Sequence, residues 1–303
     1  MSAPSRATTV RHASALAGSG LTRRRMDSMH IIPLLLYLVA GVLYAVHFRA
    51  RSHTVGRAAT TVLVVGALAH TFVIGMLTMQ AGHVPFAGAT HAISTFVWLL
   101  ALSYLYVEIA ADERVMGVLI VPLLVGLQAI PALQPGTEEP VAAVLQSAWF
   151  GVHVSSLLFA YASFALACMI GITYVLLFKE IKAKHLGFFY ARLPSLEVLD
   201  NMNVRAVAIG WIFLTVGVLA GWAWATQARV TDATEPHVQA MSLQDPKILV
   251  ALLCWAVYSF ELYAQRAIGW RGRRAAWLSA VGFAIVLLNF LPVSYFFTRS
   301  HDF

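Results

Sequence analysis

Long apolar runs follow one another along the chain, separated by shorter polar stretches. A helix that crosses a bilayer needs about 20 mostly apolar residues. By that measure the sequence predicts eight spans, at 30–47, 58–79, 92–110, 115–132, 147–178, 204–225, 248–265 and 275–297. The fifth is long enough to project from the membrane on one side. The fourth is the weakest, being short and ending at Pro131. Between spans five and six the stretch 179–203 is polar. Pro194 followed by Ser195 marks a helix start there, and Leu196, Leu199 and Met202 form an apolar stripe. This stretch reads either as a short amphipathic helix on the inner surface or as a plain connector. No internal repeat is visible. The predicted fold class is all-α: a polytopic membrane helix bundle of about eight transmembrane helices.

Composition sharpens that picture. Of 303 residues, 59% are hydrophobic and 12% are charged, where a soluble domain carries about a quarter charged. Mean hydropathy is +0.74. A soluble enzyme, a nucleic-acid-binding domain and a disulfide-stapled secreted module are excluded, and the lipid bilayer is the medium. The two cysteines, Cys168 and Cys254, stand alone inside apolar runs. Without a CxxC there is no thiol-exchange pair, and without a CxxCH no covalent c-type haem.

Charge orients the bundle. Odd-numbered connections carry thirteen Lys and Arg, among them Arg49, Lys182 and Arg271; even-numbered connections carry two, Arg229 and Lys247. Cytoplasmic loops collect Lys and Arg, so the odd connections are cytoplasmic and both termini lie outside. One segment disagrees. Residues 1–25 carry five arginines, are rich in Ser, Ala, Thr and Gly, and lack an apolar stretch. The expectation is a tail that is either disordered or upstream of a translation start at Met26 or Met29, with the membrane domain spanning 26–303.

Ionisable groups inside the spans are scarce, which disfavours a channel or secondary transporter. Glu261 and Glu108 lie near the cytoplasmic ends of spans seven and three. Glu261 is expected to snorkel or to pair with Arg266. Histidines are distributed differently. His30, His70, His83, His91, His153, His237 and His301 fall outside or in the outer half of the predicted topology. A neutral imidazole nitrogen donates a lone pair to metals and to haem iron, so the distribution fits an outward-facing haem site as well as ordinary solvated histidines. Trp149, Trp222 and Trp224 gather at outer helix ends. They form either an interfacial aromatic belt or, for Trp222 and Trp224, a wall for a flat porphyrin.

Three stretches carry a more specific signal. The first is Trp149-Phe-Gly-Val-His-Val154, leading into Tyr161-Ala-Ser-Phe164. The second is Leu193-Pro-Ser-Leu-Glu-Val-Leu-Asp200, followed by Gly210 and Gly221-Trp-Ala223. The third opens with Asp245-Pro-Lys247 and passes through Trp255, Tyr258, Gly269-Trp-Arg-Gly272 and Gly282-Phe283. It closes on Asn289-Phe-Leu291 and Ser300-His-Asp-Phe303. In this order they resemble the CcsA/HemX family of cytochrome c assembly membrane proteins over roughly residues 147–303. Spans one to four match more loosely, through His70 and Trp98.

The resemblance implies eight spans with both ends outside, in agreement with the charge distribution. It also implies a non-covalent haem b held at the outer face by two histidines, which carry over onto His153 and His301. Trp222, Trp224 and Asp245 become candidate haem contacts, and His70 a weaker ligand candidate, either partnered by His91 or a polar contact between helices. The implied function is haem handling and delivery in cytochrome c biogenesis at the outer face of a bacterial inner membrane. That role is an assembly factor's rather than an enzyme's. The implied partners are haem, an assembly subunit and an apocytochrome c whose reduced thiols accept the haem vinyl groups.

Two features depart from the family pattern. The external loop 226–244 contains no tryptophan, so of the WWD motif only Asp245-Pro-Lys247 remains. The family's membrane histidine before the arginine ending span seven is replaced by Tyr263 or Ala264. These losses pull toward the HemX branch. The alternative function is therefore a membrane regulator of haem biosynthesis that sets the glutamyl-tRNA reductase level through its cytoplasmic face, mainly 179–203.

Overall fold

The computed structural model describes residues 28–82, 84, 89–134, 146–184, 187, 190–231 and 246–288. Those residues are helical throughout, with turns between. A 3-10 turn, Ser28–His30, opens into α1 (Ile31–Ala50), α2 (His53–Ala81), α3 (Ala89–Ala111) and α4 (Gly117–Leu133). Then come α5 (Ala148–Lys182), α6 (Leu196–Thr231), α7 (Pro246–Tyr263) with a π-helical turn (Ala264–Ile268), and α8 (Arg273–Leu288). Each predicted span meets one helix. Six are long and apolar enough to cross a membrane, and α4 is a shorter apolar helix. The protein is a multi-span membrane helix bundle.

Helices α1 to α4 pack as a ring, each on the next and α4 back on α1. Helices α5 to α8 form a second ring with the same order of neighbours. Helix α3 joins the rings by packing on α5 and α6, with the Ser103 and Ser163 hydroxyls bonded across that seam at 2.9 Å. Fully buried Tyr37, Tyr44, Tyr104, Phe164 and Tyr258 fill the interior.

Polarity runs opposite to that of a water-soluble bundle. On α1 the outward stripe is Leu35, Leu38, Val39, Val42 and Val46, all exposed, while Tyr37 and Tyr44 point inward. Such a stripe suits lipid tails. The polar groups it would otherwise present must find partners inside.

Local chemistry moves three expected features. Span two begins at His53 rather than residue 58. Arg51, in the left-handed region at φ 52°, and Ser52 make the whole connection from α1, and the Ser52 side chain accepts from the Val55 N–H. At its other end, α2 stops at Gly82, whose φ of 73° favours glycine.

The second change concerns 179–203. Ser195 does start a helix, accepting from the Val198 N–H at 3.3 Å. That helix is not a separate surface element: α6 runs unbroken for 36 residues. Leu199 and Met202 are fully buried in the core. The polar residues that looked like a surface face have internal partners. Asp200 accepts from the Gly272 N–H at 2.7 Å, and the Asn203 amide donates to the Ala167 carbonyl at 2.9 Å. At 1.5 Å per residue α6 is about 54 Å long, well beyond the ~30 Å hydrocarbon core. It therefore projects beside α5, whose projection the sequence does predict.

The third is Glu261. It neither snorkels nor pairs with Arg266. It is fully buried and accepts from the Ser279 hydroxyl at 2.6 Å and the Gln265 amide at 3.2 Å.

Candidate functional site

His153 lies in the second turn of α5, half-buried against α6. Its Nδ1 is 2.7 Å from the Gly217 carbonyl oxygen. A carbonyl only accepts, so Nδ1 carries the proton, and a neutral ring then bears its lone pair on Nε2. Two glycines of α6 make the approach possible. A Cβ at Gly221 would stand 2.5 Å from His153 Nδ1 and 2.6 Å from its Cε1. A Cβ at Gly217 would stand 2.8 Å from Leu157 Cδ2. The helix backbone itself is the surface the imidazole lies on.

One turn further out, Phe150 and Trp224 stack obliquely, their ring centroids 5.0 Å apart. Trp224 is buried with Ala220 and Ala228 on the face of α6 that carries Gly217. Trp222 points elsewhere, 66% exposed, because residues two apart on a helix face different ways. The two tryptophans thus do not share a wall. The outer end of α5 also meets the α2–α3 connection, since a Cβ at Gly151 would stand 3.5 Å from Val84. His301 and Asp245 lie outside the described residues, as do His237 and the tail 1–25.

His70 sits in a different place, inside the first ring. It is fully buried, and both ring nitrogens are engaged: Nδ1 with Tyr37 Oη at 3.1 Å and Nε2 with Ser94 Oγ at 2.9 Å. Ser94 Oγ is also 3.2 Å from His30 Nδ1. The Gln128 amide donates to the His30 carbonyl at 3.3 Å. The chain from Gln128 through His30, Ser94 and His70 to Tyr37 ties α1, α2, α3 and α4 together. His91 stands beside it, its ring 6.2 Å from that of His30. Sequence reasoning names His70 but misses Tyr37, Ser94 and Gln128. Their signal is a polar side chain inside an apolar run, which in lipid demands a partner.

Near the other end of the same ring, Glu108 is a second polar centre. It accepts from Tyr44 Oη at 2.7 Å and from Thr60 Oγ1 at 2.5 Å, joining α1, α2 and α3. Among the described residues no group of three or more His, Cys, Asp or Glu side chains could hold a metal ion by itself. Both cysteines are free thiols.

The fold and these polar centres define a class: a multi-span membrane protein whose outer end presents a backbone-oriented imidazole. The particular family follows from comparison. The family described as "Cytochrome C assembly protein" matches residues 28–301, and the chain belongs to it. It is similar to the cytochrome c biogenesis protein CcsA of Guillardia theta, 26% identical over 252 residues that cover 77% of this chain and 81% of that one. It is also similar to the CcsA of Heterosigma akashiwo (strain NIES-293 / 8280G21-1), 29% identical over 68% and 72% of the two chains. The CcsA of Microcystis aeruginosa is 26% identical over 73% and 79%. The protein acts in cytochrome c biogenesis.

Proposed function

We propose that the chain is a haem-handling assembly factor of a bacterial inner membrane, with His153 and His301 as the residues that would hold the iron of a non-covalent haem b at the outer face. The observation that carries this is the Nδ1 bond of His153 to the Gly217 carbonyl. Metal-ligating histidines almost always donate their other ring N–H to such an acceptor, which fixes the tautomer and the ring plane. The residues present therefore fit an iron-bound imidazole at position 153. Trp224, braced by Phe150, lies one turn from that ring as an apolar wall. Trp222 faces the lipid side as an interfacial anchor. Asp245, in the Asp-Pro-Lys sequence, is kept as a candidate haem contact from the family resemblance. His70 is assigned to packing, because both of its nitrogens already have partners.

Haem is the cargo here, bringing the vinyl groups that the thiols of an apocytochrome c take up with the help of an assembly partner. The chain's own part is to hold and orient. His153 is kept in one tautomer by a main-chain carbonyl, and the apolar flank of α6 excludes water beside it.

The tryptophan-free loop 226–244 favours a second reading, a HemX-like regulator of the glutamyl-tRNA reductase level. The deciding experiment is the absorption spectrum and pyridine haemochrome content of the purified protein, for wild type, His153→Ala and His301→Ala. A bis-histidine spectrum in the wild type, lost or shifted in both variants together with cellular cytochrome c, is expected. A wild type that stays colourless after haem is added would sink the ligand assignment. Intact cytochrome c in both variants, with altered reductase on deletion of the protein, would establish the regulator.

A further inference from the structure

The two fully buried carboxylates among the described residues, Glu108 and Glu261, are not equivalent. Glu108 receives a hydroxyl on each of its oxygens, from Tyr44 and Thr60. Glu261 is also fully buried, but only its Oε1 has partners; Oε2 has none, and neither has Oε1 of the buried Gln265. Tracing the hydrogens through the cluster shows why. Asn203 uses both amide hydrogens, one on the Ala167 carbonyl at 2.9 Å and one on Ser279 Oγ at 3.0 Å. Ser279 has a single hydroxyl hydrogen. It lies 2.6 Å from Glu261 Oε1 and 3.2 Å from Asn203 Oδ1, and the shorter contact takes it. Gln265 contributes one amide hydrogen to the same Oε1. Three oxygens of different residues are left without a hydrogen: Glu261 Oε2, Gln265 Oε1 and Asn203 Oδ1.

The cluster is thus rich in acceptors, and Glu261 in its ionised form adds one formal negative charge. Among the described residues no Lys, Arg or His lies within ion-pair distance of Glu261; the ion pair they contain is Arg114 with Asp112. An uncompensated buried carboxylate is strongly unfavourable. A water molecule would offer hydrogens but no charge. Oxygen-only ligands from a carboxylate, two amides and a hydroxyl suit a hard cation, and one carboxylate balances one positive charge. The π-helical turn Ala264–Ile268 carries Gln265 and starts within one turn of Glu261. Such turns occur frequently at functional sites.

We infer that Glu261, Gln265, Ser279 and Asn203 form a binding site for a dehydrated monovalent cation, sodium, clamped between α6, α7 and α8. The site is independent of the haem assignment. The test is thermal unfolding of the full-length protein in nanodiscs, in sodium chloride and in choline chloride at equal ionic strength. Sodium is expected to raise the wild-type Tm saturably by roughly 3–8 °C. Glu261→Gln is expected to lose the sodium response while unfolding near the sodium-loaded wild-type temperature, since a neutral amide needs no counter-charge. Ser279→Ala should bind sodium at least tenfold more weakly, and Glu108→Gln should keep the full response. If Glu261→Gln does not fold, Gln265→Leu reads the same loss. Identical wild-type curves in the two salts, as a proton or a water at this place would give, overturn the inference. So does a sodium response that survives in Glu261→Gln.

Discussion

His70 and His153 have the same side chain, and their surroundings give them different work. At His153 one nitrogen is spent on a main-chain carbonyl; at His70 both are spent on hydroxyls. Replacing His70 with Leu leaves Tyr37 Oη without its buried partner, whereas Ser94 keeps His30. Hydrogen bonds between membrane helices contribute about 0.6–2 kcal/mol each. His70→Leu is therefore expected to lower the Tm by a few degrees with haem content per protein unchanged. A haem loss equal to that of His153→Ala would instead make His70 a ligand. The sequence marks both histidines, since a polar residue in an apolar run is conspicuous. It does not mark Gly217 and Gly221, which decide what His153 can touch. Glycines abound in membrane helices, and their meaning depends on which side chain arrives from α5.

Among the elements, α6 separates what sequence shows from what it hides. Its apolar middle is plain in the hydropathy, and its start is plain in Pro194-Ser195. Its continuity is hidden, because Asp200 and Asn203 read as surface positions until Gly272, Ala167 and Ser279 come to meet them. Cysteine labelling tests this element directly. In a background lacking Cys168 and Cys254, cysteines at the exposed positions 197 and 201 should react with an impermeant maleimide added to inverted vesicles. Cysteines replacing the buried Leu199 and Met202 should not. Equal reactivity at all four would return the segment to the membrane surface as a separate amphipathic helix. Label entering 197 from the outside of intact cells would reverse the topology drawn from the charges.

Taken as a whole, the molecule is two four-helix rings with the same order of neighbours, joined along α3 and α5. No sequence repeat announces this. Contacts that cross each ring join residues far apart in the chain, Tyr44 with Glu108 and Asn203 with Ser279, and side chains of several kinds serve. Each ring has an even number of helices, so each begins and ends on one side. A chain cut between 140 and 141, in the connection from α4 to α5, is expected to reassemble when its halves are co-expressed, and affinity purification of one half should recover the other. Degradation of the first half even in the presence of the second would show that the rings cannot be made separately.

That even count also divides the two faces of the membrane unequally. On the side assigned to the cytoplasm, α1 and α2 are joined by Arg51 and Ser52 alone, α3 and α4 by 112–116, and the π turn and α8 by 269–272. Three longer connections, between α2 and α3, α4 and α5, and α6 and α7, fall on the other side together with both termini, and one, 183–195 between α5 and α6, falls on the cytoplasmic side. A cytoplasmic partner would meet three tight turns, the connection 183–195 and the projecting ends of α5 and α6, whereas an outer partner would meet three longer connections. A binder raised against the outer face therefore has more connecting chain of this protein to hold than one raised against the inner.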